Sequence, residues 1–355
     1  MSSKTESKDR LDKHLKKLNI GGLFDELSSD YLEKAGLADI LNGIPVPIAF
    51  GACDELTTLS IALNMARVVG GDSHFLYKDA YIAYIKRIMG DAAVKILVSE
   101  GAKAGGNGEP LIAAMYFRTA LDIDPKDRDA LYLYGRACKD SYDGEEEDRE
   151  FIGDFRAESI EIFEVLTMIH PDFAYGFYFL GYAYVNLGLY MKAKLTWETF
   201  VDLSSKTLSE LGDEGERTPA AEELAEMRDE IRERVERLKE PVEIERGCNR
   251  ILSGDFIAGK EILQKYAKGP FETWWPIHYH LGTAETAFGN VDGAISCYKK
   301  ALRYSPGNIE VMEALVAIYD AIGDEENIKK YTDKIKLVKE NMRADMEDGS
   351  GANAE

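Results

Sequence analysis

Apolar residues along most of this chain recur at three- and four-residue steps, the spacing that gathers them on one face of an α-helix. Between Thr218-Pro219 and residue 239, for example, Leu224, Met227, Ile231, Val235 and Leu238 form one such stripe, and the positions between them are charged. Elsewhere the amphipathic stretches come in pairs joined by short turns. One pair carries Leu180-Gly181, Tyr184, Ala193, Trp197 and Phe200; another carries Leu281-Gly282, Glu285, Ala294, Tyr298, Ala301 and Pro306 at matching offsets. Each reads as helix, turn, helix, with small residues where two helices must touch.

The same spacing returns at roughly 34 residues, the scale at which a helix pair stacks on the next to build a solenoid. From Val94 the chain has Leu97, Gly101, Ala113, Phe117, Ala120 and Pro125. From Arg128 it has Leu131, Tyr134 and Gly135, then an insertion, then Ser159, Phe163, Leu166 and Pro171. The unit from Ala174 adds Phe177 and puts Ser205 where a proline would fall. The unit from Lys239 keeps Ala258, Ile262 and Pro270, but Arg246 stands where the glycine is expected. The unit from Ile309 keeps Leu315, Tyr319 and Ile335. This spacing resembles the tetratricopeptide repeat over residues 94–342. The resemblance implies an all-α fold, a right-handed α-solenoid of helix pairs with an N-terminal helical cap. The prolines end helices because they lack a backbone donor.

The segments predicted are a helical or irregular stretch at 1–53, a capping helix pair at 54–93 and three repeats at 94–207. A long charged helix follows at 208–238, then three more repeats at 239–342 and a disordered acidic tail at 343–355. Leu11, Leu15 and Leu18 mark one face of a charged N-terminal helix. Pro45 and Pro47 force an extended backbone in Ile44–Ile48. The flanking pair around Gly70-Gly71 places an N-cap at Asp72 or Ser73. The insertion, Asp140 to Glu150, carries Glu145, Glu146, Glu147 and Asp148 and reads as a solvated disordered loop. The long charged helix is either an extension of the third repeat or a spacer, and its Glu230–Arg234 and Glu233–Arg237 spacings are i, i+4 ion pairs.

The formal net charge of −21 argues against a nucleic-acid partner, which needs clustered Lys and Arg. It keeps a large surface solvated and is compatible with a basic partner. Four well-separated cysteines, Cys53, Cys138, Cys248 and Cys297, suggest free thiols and a reducing, cytoplasmic setting, and residues 1–10 lack a secretory signal. Phe173–Met191 carries no charge and approaches a membrane span in length, but repeat register explains it as a buried helix, a turn and the start of a second helix.

No enzyme chemistry is visible. Gly101–Gly108 lacks the preceding strand and the Gly-Lys-Ser/Thr of a phosphate loop. His278 and His280 point to different sides of one helix, His278 at a packing position, and His14, His74 and His170 have no spacing partner, so neither metal nor cofactor is expected. Instead the resemblance assigns positions 2, 5, 6 and 9 of each first helix to a concave groove. Those are Tyr175, Tyr178, Phe179 and Tyr182 in one repeat, Tyr132, Leu133 and Arg136 in the preceding one, and Tyr279 and His280 further on. Tyrosine offers large contact area with a polar tip. The carboxylate clamp known in the family is absent, since Val98, Ala102, Leu133, Tyr175 and Phe179 stand at its positions. The expected function is therefore non-enzymatic: an adaptor or scaffold that binds an apolar or basic protein segment in the aromatic groove. Three other readings remain open at this stage: a self-associating solenoid, a private activity in residues 1–93, and a groove filled by the N-terminal segment or the 218–239 helix.

Overall fold

The computed structural model describes residues 9–19, 22–49, 56–143, 145, 148–210 and 218–351. The chain divides within one helix into two compact units, residues 1–180 as unit 1 and residues 181–355 as unit 2.

Unit 1 opens with a short helix, α1 (Asp12–Leu15), continued by one 3₁₀ turn, Lys16–Asn19. A two-stranded antiparallel sheet, β1 (Leu23–Glu26) and β2 (Pro45–Ala49), encloses α2 (Ser29–Ala35) and α3 (Ala38–Leu41). The prolines that force β2 to be extended also remove two donors from its ladder. The strand's free carbonyls are satisfied by side chains: Tyr81 Oη donates to Pro45 O at 2.7 Å, and Asn64 Nδ2 donates to Pro47 O and Ile48 O. Val46 is fully buried, so the strand seals the cap's core.

The predicted flanking pair exists as α4 (Thr58–Gly71) and α5 (Lys78–Met89). Thr57 and Ser60 close a reciprocal capping box at the start of α4. Asp72 and Ser73 do not cap α5, however. Asp72 is the C-cap of α4, and α5 begins after Tyr77 with no side-chain cap. The intervening turn is used for other contacts, described below. Gly70 is required because a Cβ there would enter the backbone of Met115 on the neighbouring repeat helix.

The first helix of each repeat begins within one residue of the expected start. In unit 1 they are α6 (Ala93–Gly106) with α7 (Pro110–Ile123), then α8 (Arg128–Tyr142) with α9 (Arg149–Ile169), and then α10 (Ala174–Asn186), which contains the unit boundary. In unit 2 they are α11 (Tyr190–Glu210), then α13 (Lys239–Leu252) with α14 (Phe256–Tyr266), α15 (Trp275–Ala287) with α16 (Val291–Tyr304), and α17 (Ile309–Ile322) with α18 (Glu325–Gly351). The intervening α12 (Pro219–Arg237) is a helix of its own, N-capped by Thr218 and packed along α11 through Ala221, Leu224 and Ile231. It carries the two expected ion pairs, Glu230–Arg234 at 2.8 Å and Glu233–Arg237 at 3.1 Å. The last helix continues to Gly351 where a disordered tail was expected; residues 352–355 lie outside the described residues.

One contact recurs in five pairs. A glycine on the first helix lies against a large side chain on the second: Gly101 on Phe117, Gly135 on Phe163, Gly181 on Trp197, Gly247 on Leu263 and Gly282 on Tyr298. The fourth of these corrects the sequence reading. That repeat is displaced by one residue, so Gly247, not Arg246, makes the close approach, and Gly259 replaces Ala258 as the small residue opposite. Gly259 is buried with Gly247 O beside it, while Arg246 faces solvent and pairs with Glu243.

Among the described residues no helix is long and apolar enough to cross a membrane. The uncharged stretch at Phe173–Met191 is divided between α10 and the start of α11 by a turn at Gly188, whose φ of +72° is left-handed. Cys138 is buried and Cys248 and Cys297 are half-buried, with burial raising all three thiols, to about 12 for Cys248. All three pack into the cores of their helix pairs. Cys53 lies outside the described residues.

Candidate protein-docking surface

In unit 1 the structure brings Tyr132, Tyr175 and Phe179 together. The Tyr132 ring stands 6.0 Å from both Tyr175 and Phe179 and 5.3 Å, edge on, from Phe173. Successive helices α8 and α10 supply these rings because each presents the same face of its first two turns. Arg136, one turn beyond Tyr132 on α8, sets its guanidinium 5.8 Å from the Tyr132 ring and 5.6 Å from Phe179. Arg128 does the same to Phe173 at 5.0 Å. Tyr178 meets Phe179 edge to face at 5.2 Å. The rings are half-buried and the two arginines exposed, so the patch is a layer of aromatic surface under cationic tips. Such stacking favours the cation over the ring face and presents planar donors outward. Sequence reasoning missed Phe173 and Arg128, which lie in the turn and first residue outside the groove positions. Leu133, next to Tyr132 on α8, is half-buried and packs against the core cluster that includes Phe117 and Phe155.

The unit 2 residues have different surroundings. Tyr182 Oη donates to Glu230 Oε1 at 2.7 Å, and Arg234 lies over its ring at 5.0 Å, so α12 engages it. Trp197 packs edge on beneath it at 5.0 Å. Tyr279 sits between Trp275, His280 and Tyr298, at 6.0, 5.1 and 5.7 Å. Burial, together with the Glu310 carboxylate, raises its phenol well above the usual range. His280 is half-buried, its pKa lowered by burial, and its Nδ1 finds no partner among the described residues. His278 is buried and donates through Nε2 to Glu272 O at 2.7 Å, as its packing position requires.

Another polar cluster joins Asp12, Asp72 and His74, whose ligand atoms lie within 4.8 Å of one another. Asp12 is already saturated by Ser73 and Arg118, and Lys16 pairs with Asp72 at 3.0 Å. Two cations at the cluster make it an ion-pair network rather than a ligand set for a metal.

Stacked helix pairs of this kind form protein-interaction scaffolds, which present surface rather than an enclosed pocket. The tetratricopeptide repeat family model matches residues 276–308, the pair α15–α16. No curated protein matches the chain. Solved structures similar to it include a MamA fragment from Desulfovibrio magneticus, 14% identical over 72% of this chain and 98% of that one, with a TM-score of 0.27. PilW, described as a type IV pilus biogenesis factor, is 15% identical over 70% of this chain and 94% of its own, TM-score 0.29. The Cut9–Hcn1 hetero-tetramer of the APC/C gives 15% identity over 89% of this chain and 65% of that one, TM-score 0.33.

Proposed function

We propose that this protein is a non-enzymatic adaptor that docks a segment of another protein on the aromatic–arginine surface of unit 1. The observation that carries this reading is the stacking of Arg128 and Arg136 over Phe173, Tyr132 and Phe179. The inner contacts of these helix pairs are made by Leu131, Tyr134, Gly135 and Leu180, all buried, so the patch adds ring area beyond what the pair needs. Tyrosine and arginine in such a setting are the residues that dominate binding energy at interfaces. The fitting partner is an apolar or proline-containing segment whose carbonyls or carboxylates meet the arginine tips. The basic partner expected from overall charge fits this patch less well, because its own exposed charges are positive; the acidic remainder of the surface acts only at long range and weakens with salt.

The test is affinity capture with mass spectrometry, run in parallel with the wild-type chain and with Tyr132→Ala/Arg136→Ala. Partners that bind this surface are depleted from the variant's list, while its helix content by circular dichroism is unchanged. An identical set of partners from both proteins contradicts the assignment.

A further inference from the structure

Residues 9–19 are attached to unit 1 in the manner of a bound segment. Their backbone hydrogen bonds are local, from Asp12, His14 and Leu15 to Asp9 and Leu11. What fixes them is side chains. Leu11 and Leu15 are both 0% exposed and enter the cleft among α4, α7 and α9, where Met115, Phe117 and Phe155 receive them. Around this apolar pair runs a ring of charge in two halves. On one side Asp9 and Asp12 meet Arg118 at 2.6 and 3.0 Å, and Asp12 accepts from the Ser73 amide and hydroxyl at 3.1 and 2.7 Å. On the other side Arg10 reaches Glu161 at 2.8 Å, and Lys13 pairs with Glu150 and, at 2.8 Å, with Asp154. Buried anchors inside a polar rim are the anatomy of an interface between two chains.

A second observation comes from α9. Ser159 stands ten residues into that helix, whereas the equivalent Ala113 stands three residues into α7. The added stretch, residues 149–155, starts where the insertion that breaks the repeat ends. It carries Glu150, Phe151, Asp154 and Phe155, and these are the groups that grip Lys13, His14 and the two leucines. The repeat has been lengthened where the segment lies, and the charges of the lengthened part complement it.

We propose that the cleft among α4, α7 and α9 is a recognition site for a short helical protein segment of the pattern acid, x, apolar, acid, base, x, apolar, and that residues 9–15 occupy it as a cis ligand which a partner of that pattern must displace. The Arg118 side chain, 9% exposed, is the selective element: it rejects a segment without acids at the first and fourth positions, since its buried charge would keep only the Gly70 carbonyl, at 2.7 Å, and no counter-charge. The docked segment lies along the second helices of the pairs, so the aromatic surface on α8 and α10 stays open while the cleft is filled.

The experiment uses the full chain with a protease recognition sequence inserted between Asn19 and Ile20, and a fluorescein-labelled peptide of residues 9–19 as probe. Before cutting, the tethered segment competes at a millimolar effective concentration. After cutting and dialysis, the severed fragment exchanges, and the peptide binds about 100-fold more tightly than to the uncut chain by fluorescence anisotropy. A peptide with Leu11→Asp and Leu15→Asp does not bind, and Arg118→Ala in the cut chain weakens binding at least about tenfold. Equal binding to cut and uncut chains, retention of the severed fragment against excess peptide, or loss of helix content on its departure would each overturn the proposal, the last by showing the segment to be an integral part of the core.

Discussion

Replacing Gly181 by alanine tests the close approach on which the helix pairs depend. A Cβ built at Gly181 falls inside the indole of Trp197, 2.7 Å from Cε2 and nearer still to Nε1 and Cδ1. Trp197 is 1% exposed and held from above by Tyr182, so the ring has no room to retreat. Overpacking a rigid core costs about 1–3 kcal/mol, and this overlap belongs at the upper end. Alanine also recovers about 1 kcal/mol of helix propensity over glycine. The difference is a net loss of roughly 2 kcal/mol. Gly153, inside α9, provides the opposite case, since a Cβ there meets nothing within 4 Å; the same substitution stabilises by up to about 1 kcal/mol. All three tryptophans, Trp197, Trp274 and Trp275, lie in unit 2, so urea unfolding followed by their fluorescence reports that unit separately. The expected result is a lower midpoint for Gly181→Ala with unchanged slope and, for Gly153→Ala in unit 1, no loss of midpoint when unfolding is followed by circular dichroism. A Gly181→Ala chain as stable as wild type would refute the packing argument.

Other outcomes follow from individual contacts. In the displaced repeat, Gly247→Val lowers the same midpoint by about 1–3 kcal/mol, while Arg246→Ala, at the residue the spacing singled out, stays within about 0.5 kcal/mol; the reverse order restores the original register. His278 has its pKa lowered by burial below the ordinary 6.5, and His280 likewise. Their native forms bind fewer protons than the unfolded chain, so stability is complete above pH 6.5 and falls as pH drops through and below it. His278→Gln reduces that acid sensitivity in fluorescence-monitored melts, and an unaltered pH profile contradicts it. Tyr182→Phe removes the hydroxyl bond to Glu230 and speeds hydrogen exchange in α12, with a stability loss of about 1 kcal/mol; unchanged exchange rates would show that α12 is held without it.

The repeats were legible because the close-approach glycines and their large partners keep fixed offsets, which local composition cannot disguise. Two kinds of feature were not. A register error at Arg246 arose because a neighbouring glycine satisfies the same geometry one residue later, and only the partner across the turn, Leu263, distinguishes them. Contacts between distant segments left no periodic mark at all. Glu150 and Asp154, in the first turns of α9, gave no sign of their role because their partners, Lys13 and His14, stand some 140 residues away, while Glu146 and Glu147 of the insertion lie outside the described residues. Tyr182 shows the same limit, since its Glu230 partner belongs to a helix outside the repeat pattern.

The account rests on the aromatic–arginine surface of unit 1 as the place where a partner docks. With a captured partner in hand, titration calorimetry of wild type, Tyr132→Ala/Arg136→Ala and Tyr182→Phe measures this directly. The account predicts at least about 30-fold weaker binding for the first variant, equivalent to roughly 2 kcal/mol, and unchanged binding for the second. Full affinity in Tyr132→Ala/Arg136→Ala would contradict it.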